Sequence, residues 1–344
     1  MELKGCSCPN SGFCKTFNRN VDDGFLDWCQ NVNIEVKESY YKLIEKTKNN
    51  KPTPKRVHNP NRFVTITDLQ RATLKLMPLI EEFDGIVGVP RSGMIPASIL
   101  SSLCNKPLFS ITDNKLEMLK FMSNFGGSRM VNFKTNKSIK DMSLVFIDDT
   151  THCGISSRRL KETFGKNISV MSVYSTDFGS QHIEGYSELL HTPHLLEWNF
   201  FNSTYADITM FDIDGVFCDN IPIDICEDEE KYTKYIEGIA PKFHRIPKLF
   251  KASKLVTGRL EKYRGITENW LKRYGFNYDE LVMFPTDREA ERNANHFQVV
   301  GEYKAEVFNS DKQQYFVESE LSEAKVIKSL TNKTVICPNE GIVL

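Results

Sequence analysis

The stretch Leu144-Val145-Phe146-Ile147-Asp148-Asp149-Thr150-Thr151-His152-Cys153-Gly154-Ile155-Ser156 carries the reading of the fold. Its four apolar residues predict a buried parallel strand, Leu144–Ile147. Two adjacent carboxylates stand at the carboxyl end of that strand, and a short polar loop with a glycine leads into a helix. In an open parallel sheet, ligands bind beyond the carboxyl ends of the strands. A helix N-terminus offers free N–H groups and a favourable dipole to a phosphate. Paired carboxylates accept from hydroxyls and hold a hard cation such as Mg²⁺. The segment therefore has the make-up of a cradle for a sugar phosphate.

The pattern around it is a repeated alternation. Ile86–Val89, Leu108–Ile111 and Ser169–Tyr174 also predict strands, and Met94–Cys104 and Ile155–Phe164 predict helices. Thr67 and Asp68 form an N-cap region for a further helix running through Glu82. Alternation of this kind implies a parallel sheet with right-handed crossovers. The pattern weakens between Asp113 and Asp141, where Gly126-Gly127-Ser128-Arg129 suggests a mobile loop. Residues 176–205 are aromatic, histidine-rich and irregular. A second α/β run follows, with strands expected at Asp207–Ile213, Lys254–Val256, Leu281–Phe284, Gln314–Val317 and Thr334–Ile336. Its expected helices are Tyr263–Tyr274 and Leu321–Leu330. We expect three parts: a cysteine-rich N-terminal segment (1–60, with one helix from about Glu38 to Thr47) and two α/β domains (61–203 and 204–344).

Bulk properties agree with this organisation. A chain of 344 residues exceeds the size at which one core usually stops growing. A net charge of −1 gives no global electrostatic reason to expect nucleic acid. We see no run of about 18 apolar residues and so expect no membrane span. The first residues have no apolar stretch of signal-peptide type. The nine cysteines are then expected as reduced thiols of a cytoplasmic protein. A homo-oligomer is compatible with the sequence.

A second stretch, Gly88-Val89-Pro90-Arg91-Ser92-Gly93-Met94-Ile95-Pro96-Ala97, also leaves a strand and opens a helix. Together, and in this order, the two stretches resemble the pyrophosphate loop and the diphosphoribosyl-binding signature of type I phosphoribosyltransferases. Cys153 and Ser156 stand where that family usually has threonines. The resemblance implies Mg²⁺-dependent transfer from 5-phosphoribosyl 1-pyrophosphate (PRPP) to a nucleobase-like acceptor. It also implies roles. Asp148 and Asp149 would hold the ribose hydroxyls and Mg²⁺. Thr151, His152, Cys153, Gly154, Ile155, Ser156 and Ser157 would bind the 5-phosphate. Pro90, Arg91, Ser92 and Gly93 would face the pyrophosphate, where arginine's planar fork suits two oxygens at once. The loop around Arg129 would close over the reaction, and Trp198, Phe200 and Phe201 are candidates to stack on the base.

In the second α/β run, Ile208-Thr209-Met210-Phe211-Asp212-Ile213-Asp214-Gly215-Val216 resembles the first motif of the haloacid dehalogenase (HAD) superfamily, whose members are mostly phosphatases. Asp212 would attack phosphorus, and Asp214 would donate and then accept a proton. Leu255-Val256-Thr257-Gly258-Arg259 looks like the second motif, with Thr257 and Gly258 on the phosphate. Lys304 is the candidate for the charge-balancing lysine, with Lys312 as the alternative. Tyr315-Phe316-Val317-Glu318 resembles the strand that ends in a metal ligand, with Glu320 or Glu323 as a second acidic group. Mg²⁺ would be held by Asp212, Asp214 and Glu318. Only about 45 residues separate Asp212 from Thr257, room for a small cap at most.

Cys6, Cys8, Cys14 and Cys29 are a third constellation, able to hold Zn²⁺ or an iron–sulfur cluster. The sequence thus suggests a bifunctional enzyme of nucleotide metabolism that uses PRPP, a base and a phosphorylated small molecule. Two alternatives stand beside it: a PRPP- or nucleotide-sensing domain that regulates a phosphatase, and a phosphatase acting on nucleic-acid ends.

Overall fold

The computed structural model describes residues 62–112, 115–118, 139–165, 168–222, 225 and 228–344. Cys6, Cys8, Cys14 and Cys29, the helix expected at Glu38–Thr47 and the Arg129 loop lie outside them. The chain divides into two compact units. The described part of one is 66–112, 115–118, 139–165 and 168–193. The other joins 62–65 to the described part of 194–344. Among the described residues, no helix is long and apolar enough to cross a membrane.

The short strand β1 (Phe63–Val64) belongs to the second unit. The first unit is a six-stranded sheet of β2 (Gly85–Gly88), β3 (Leu108–Thr112), β4 (Lys115–Met118), β5 (Leu144–Thr151), β6 (Ser169–Ser175) and β7 (Gly185–Leu189). Its spatial order is β4-β3-β2-β5-β6-β7. All neighbours are parallel except β3 and β4. The helices Met94–Cys104 and Ile155–Phe164 form as expected. Leu160 of the latter joins Val87, Phe109, Phe146 and Val170 in a core on the sheet. The helix before β2 is shorter than expected, Ile66–Leu74, and a 3₁₀ turn at Met77–Ile80 follows it. From β2 the chain moves to β3 on one side, then returns to β5 on the other. That reversal opens a crevice between β2 and β5, where ligands of open α/β sheets bind.

Three strands differ from expectation in this unit, and the first, β4, lies where the sequence alternation weakens. β5 does not stop at Ile147. β2 ends with Gly88 opposite Ile147, but β6 keeps pairing Asp148 with Ser172 and Thr151 with Ser175. The carboxylates therefore stand on a regular strand whose β2 side is open. β7, Gly-Tyr-Ser-Glu-Leu, falls within a stretch expected to be irregular, because it has no apolar run to announce it.

The second unit pairs β1 with β8 (Leu195–Leu196). Its main sheet comprises β9 (Thr209–Phe211), β10 (Ala252–Leu260), β11 (Tyr278–Phe284), β12 (Tyr315–Val317), β13 (Thr334–Cys337) and β14 (Ile342–Val343). The order is β11-β10-β9-β12-β13-β14, parallel apart from β13 and β14. The chain runs outward from β9 through β10 to β11, then crosses back to β12, so β9 ends at the reversal point. Phe200, Phe201, Phe211, Phe217, Trp270 and Val317 share one core.

One expectation is corrected by that core. Phe200 and Phe201 are buried against Phe63, Phe211 and Phe217, edge-on or tilted. Rings packed in this way are unavailable to stack on a base. Asn202 ties the same segment down, donating to Ile246 O and accepting from Lys248 N and Leu249 N. The described residues between Asp212 and Thr257 include a helix, Glu229–Gly238, N-capped by Asp228, whose Tyr232 and Ile236 are buried in the core.

Candidate functional site

In the first unit, the two candidate loops leave adjacent strands and are locked together. Val89 N donates to Ile147 O at 2.9 Å. A Cβ on Gly93 would stand 2.6 Å from both Val89 O and Ile147 O, and 2.9 Å from Asp148 Cα. Only glycine lets the Arg91 turn approach the Asp148 strand this closely. Pro90 and Arg91 are exposed at the head of the turn, Ser92 is half-buried, and the Pro90–Arg91 peptide is cis.

Asp149 is buried and Asp148 half-buried, with Asp149 N donating to Asp148 Oδ1 at 2.9 Å. Burial, then the neighbouring Asp149 charge, push the Asp148 carboxyl well above the usual carboxylate range. Adjacent carboxylates of this kind suit a hard cation, because Mg²⁺ is commonly held by one or two carboxylates plus substrate phosphates.

The loop beyond is tightly built. Gly154 takes φ +68°, and a Cβ there would strike the His182 side chain. Thr176 Oγ1 donates to His152 O at 2.5 Å and accepts from Gly179 N at 2.8 Å. Thr151 and Cys153 are buried, Ile155 is half-buried and Ser156 is exposed at the helix start. Burial lowers His152 to about 4 and raises the Cys153 thiol. Ser157 turns inward onto Gly154 O at 2.9 Å.

In the second unit, Asp212 and Glu318 directly follow β9 and β12, and Thr257 lies on the neighbouring β10, past the part of it paired with β9. Asp212 N donates to Val317 O. The buried Lys304 reaches in from the helix His296–Asn309. Its Nζ donates to Glu318 Oε2 at 2.6 Å and Glu323 Oε2 at 2.7 Å, and lies 3.3 Å from Asp212 Oδ1. Lys312 is exposed, and Glu320 caps the next helix by accepting from Ser322 N. Of the candidates, Lys304 and Glu323 are therefore the ones the fold brings to Asp212.

Asp214 is engaged differently. Arg259, 1% exposed, holds both carboxylate oxygens, Nε to Oδ2 at 2.9 Å and Nη2 to Oδ1 at 2.7 Å. Cys218 Sγ lies 3.4 Å from Oδ1. Gly215 takes φ +74° beside Ser319, whose Oγ donates to Asp214 O. Gly258 is braced from outside, its carbonyl accepting from Arg292 Nε at 2.8 Å.

Three carboxylates around one ammonium leave excess negative charge. Burial pushes Asp212 up to about 7, partly offset by Lys304, and pushes Glu318 well above its usual range. Burial opposes ionisation of Glu323 as well, but Lys304 and His296 bring it down to about 2. Among the described residues, no group of three or more His, Cys, Asp or Glu side chains is disposed to hold a metal ion. Lys304 stands among the acids, and Asp214 is taken by Arg259. The oxygen donors fit Mg²⁺ in kind, and Asp212 with Glu318 are the side chains that would hold it.

In the sequence Arg259 stands only as part of a motif, and nothing there singles out His296 or Arg292. The fork on Asp214 and the contact to Glu323 join residues far apart in the chain, which spacing does not reveal.

No protein-family model matches the chain, and no curated protein does. Solved structures similar to part of it include a purine phosphoribosyltransferase from Pyrococcus horikoshii Ot3. The identity is 20% over 39% of this chain and 89% of that one, with a TM-score of 0.27. A xanthine-guanine-hypoxanthine phosphoribosyltransferase of Helicobacter pylori gives 14% identity, 40% and 92% coverage, and a TM-score of 0.28. An orotate phosphoribosyltransferase from Aeropyrum pernix gives 16%, 37% and 74%, with a TM-score of 0.26.

Proposed function

We propose that the first unit binds PRPP and transfers its ribosyl phosphate to a nucleobase-like acceptor, and that the second hydrolyses a phosphate monoester. The observation that carries the first half is the Gly93 contact, which seats the Arg91 turn against the Asp148-Asp149 strand. Arg91 then faces pyrophosphate while the two carboxylates face the ribose hydroxyls. The C1–O bond to pyrophosphate breaks as the acceptor nitrogen bonds to C1. Mg²⁺, when bound, offsets the negative charge of the leaving group. In the second unit, Asp212 Oδ attacks phosphorus as the P–O bond to the leaving group breaks, Asp214 gives the leaving oxygen a proton, and Asp214 then takes one back from the water that cleaves the aspartyl-phosphate. Lys304 balances charge beside Asp212. Thr257 and Gly258 bind the phosphoryl oxygens, and the Arg259 fork orients Asp214. Acting in sequence, the two sites would turn a base into a nucleotide and then a nucleoside.

The test is to incubate the full chain with PRPP, Mg²⁺ and a panel of bases, and to follow pyrophosphate, phosphate and products by mass. Release of pyrophosphate with one base, and of phosphate from its nucleotide, is expected. No pyrophosphate with any base and no phosphate from any nucleotide would reject the proposal.

A second reading has one specific observation in its favour. Cys153 places a buried thiol, a weak donor, in the loop that would hold the 5-phosphate. A binding domain that senses PRPP without turnover fits that loop. Calorimetry separates the readings: tight PRPP binding with no pyrophosphate release favours sensing.

A further inference from the structure

One side of the helix His296–Asn309 faces the second site. His296, Val300 and Lys304 recur every four residues and so share that face. Val300 packs on the phosphate turn, its Cγ1 lying 3.0 Å from where a Cβ on Gly258 would stand. Lys304 ends among Glu318, Glu323 and Asp212. His296 Nε2 lies 3.4 Å from Glu323 Oε1, and Lys304 Nζ takes the other oxygen, Oε2, at 2.7 Å. Glu323 is buried, while the His296 side chain is 41% exposed. A single carboxylate therefore links a solvent-facing imidazole to the buried ammonium beside Asp212.

We propose that His296 is a positioning residue of this site, fixing Lys304 through Glu323; the inference rests on the phosphatase reading. A lysine ammonium has three donors. Two go to Glu318 and Glu323, and Asp212 Oδ1 lies 3.3 Å away without hydrogen-bond geometry. The distance from Lys304 to Asp212 thus depends on how the Glu323 carboxylate is turned. The terminal torsion of a glutamate is broad and roughly two-fold. Its plane needs a second anchor, and His296 supplies one at the far oxygen. Without it, Glu323 is free to turn, and Lys304 leaves its place beside the attacking oxygen.

The test is steady-state hydrolysis of p-nitrophenyl phosphate with Mg²⁺ by the full chain and its His296→Ala, His296→Gln and Glu323→Gln variants. His296→Ala should lower kcat about tenfold with KM within about twofold, the size usual when a partner of a site residue is lost. His296→Gln, which keeps a side-chain N–H, should restore most of the rate. The His296→Ala/Glu323→Gln double variant should be no slower than Glu323→Gln alone, because both act through one contact. An unchanged kcat in His296→Ala, or additive losses in the double variant, would overturn the proposal. An inactive native chain would remove the phosphatase reading itself and the positioning role with it, which is a different result from a silent His296→Ala.

Discussion

Gly93 and His152 show how single positions set the first site. A Cβ at Gly93 has no room between two backbone carbonyls, which move only with their strands. Gly93→Ala should cost about 1–3 kcal/mol, as overpacking does, and should weaken PRPP binding while the fold survives. Denaturant titration and calorimetry measure the two effects separately. His152 is held neutral by burial, its value brought down to about 4. Below the ordinary imidazole value of about 6.5, the unfolded chain takes up a proton that the folded chain refuses. The stability from a neutral His152 is thus fully present above about pH 6.5 and is lost as pH falls towards 4. The thermal midpoint of the native chain should fall over that window, and His152→Asn should flatten the fall. An equal slope in both proteins would contradict this reading.

Among the elements, the short helix Glu197–Phe200 is held in the second unit by a buried ion pair. Glu197 Oε1 accepts from Arg245 Nε at 2.9 Å and Nη2 at 2.7 Å, and both residues are buried. Arg245 also donates to Val216 O, so the pair staples two distant segments onto the core. Removing one partner strands a buried charge. Glu197→Ala should therefore destabilise the second unit by about 3–5 kcal/mol, whereas replacing both residues by apolar ones of similar volume should cost far less. Urea unfolding of the single and double variants decides it.

The same elements show what the sequence could and could not reveal. The helices Met94–Cys104 and Ile155–Phe164 were legible from an apolar stripe between a loop and a breaker, and the buried strands from their apolar runs. β7 was hidden because an edge strand needs few apolar residues. Phe200 and Phe201 were misread because an aromatic cluster has the same composition whether it covers a base or fills a core. The Asp148-Asp149 and Asp212-Asp214 pairs were visible because their chemistry is local. The Arg259 fork and the His296 contact were not, because the fold creates both.

For the whole molecule, the recurring feature is a parallel sheet whose chain reverses direction across a central strand. In each unit the acidic residues stand at that reversal: Asp148 and Asp149 on β5, just past the end of β2, in one, and Asp212 at the end of β9 in the other. Each unit has its own sheet and its own hydrophobic core. Under the proposed function, two chemistries therefore belong to two separable sites. The most direct test pairs two variants of the full chain, Asp149→Asn and Asp212→Asn, each assayed for pyrophosphate release from PRPP and for phosphate release from a nucleotide. Asp149→Asn should lose the first activity and keep the second, and Asp212→Asn the reverse. Loss of both activities in either variant, or survival of both in each, would contradict it.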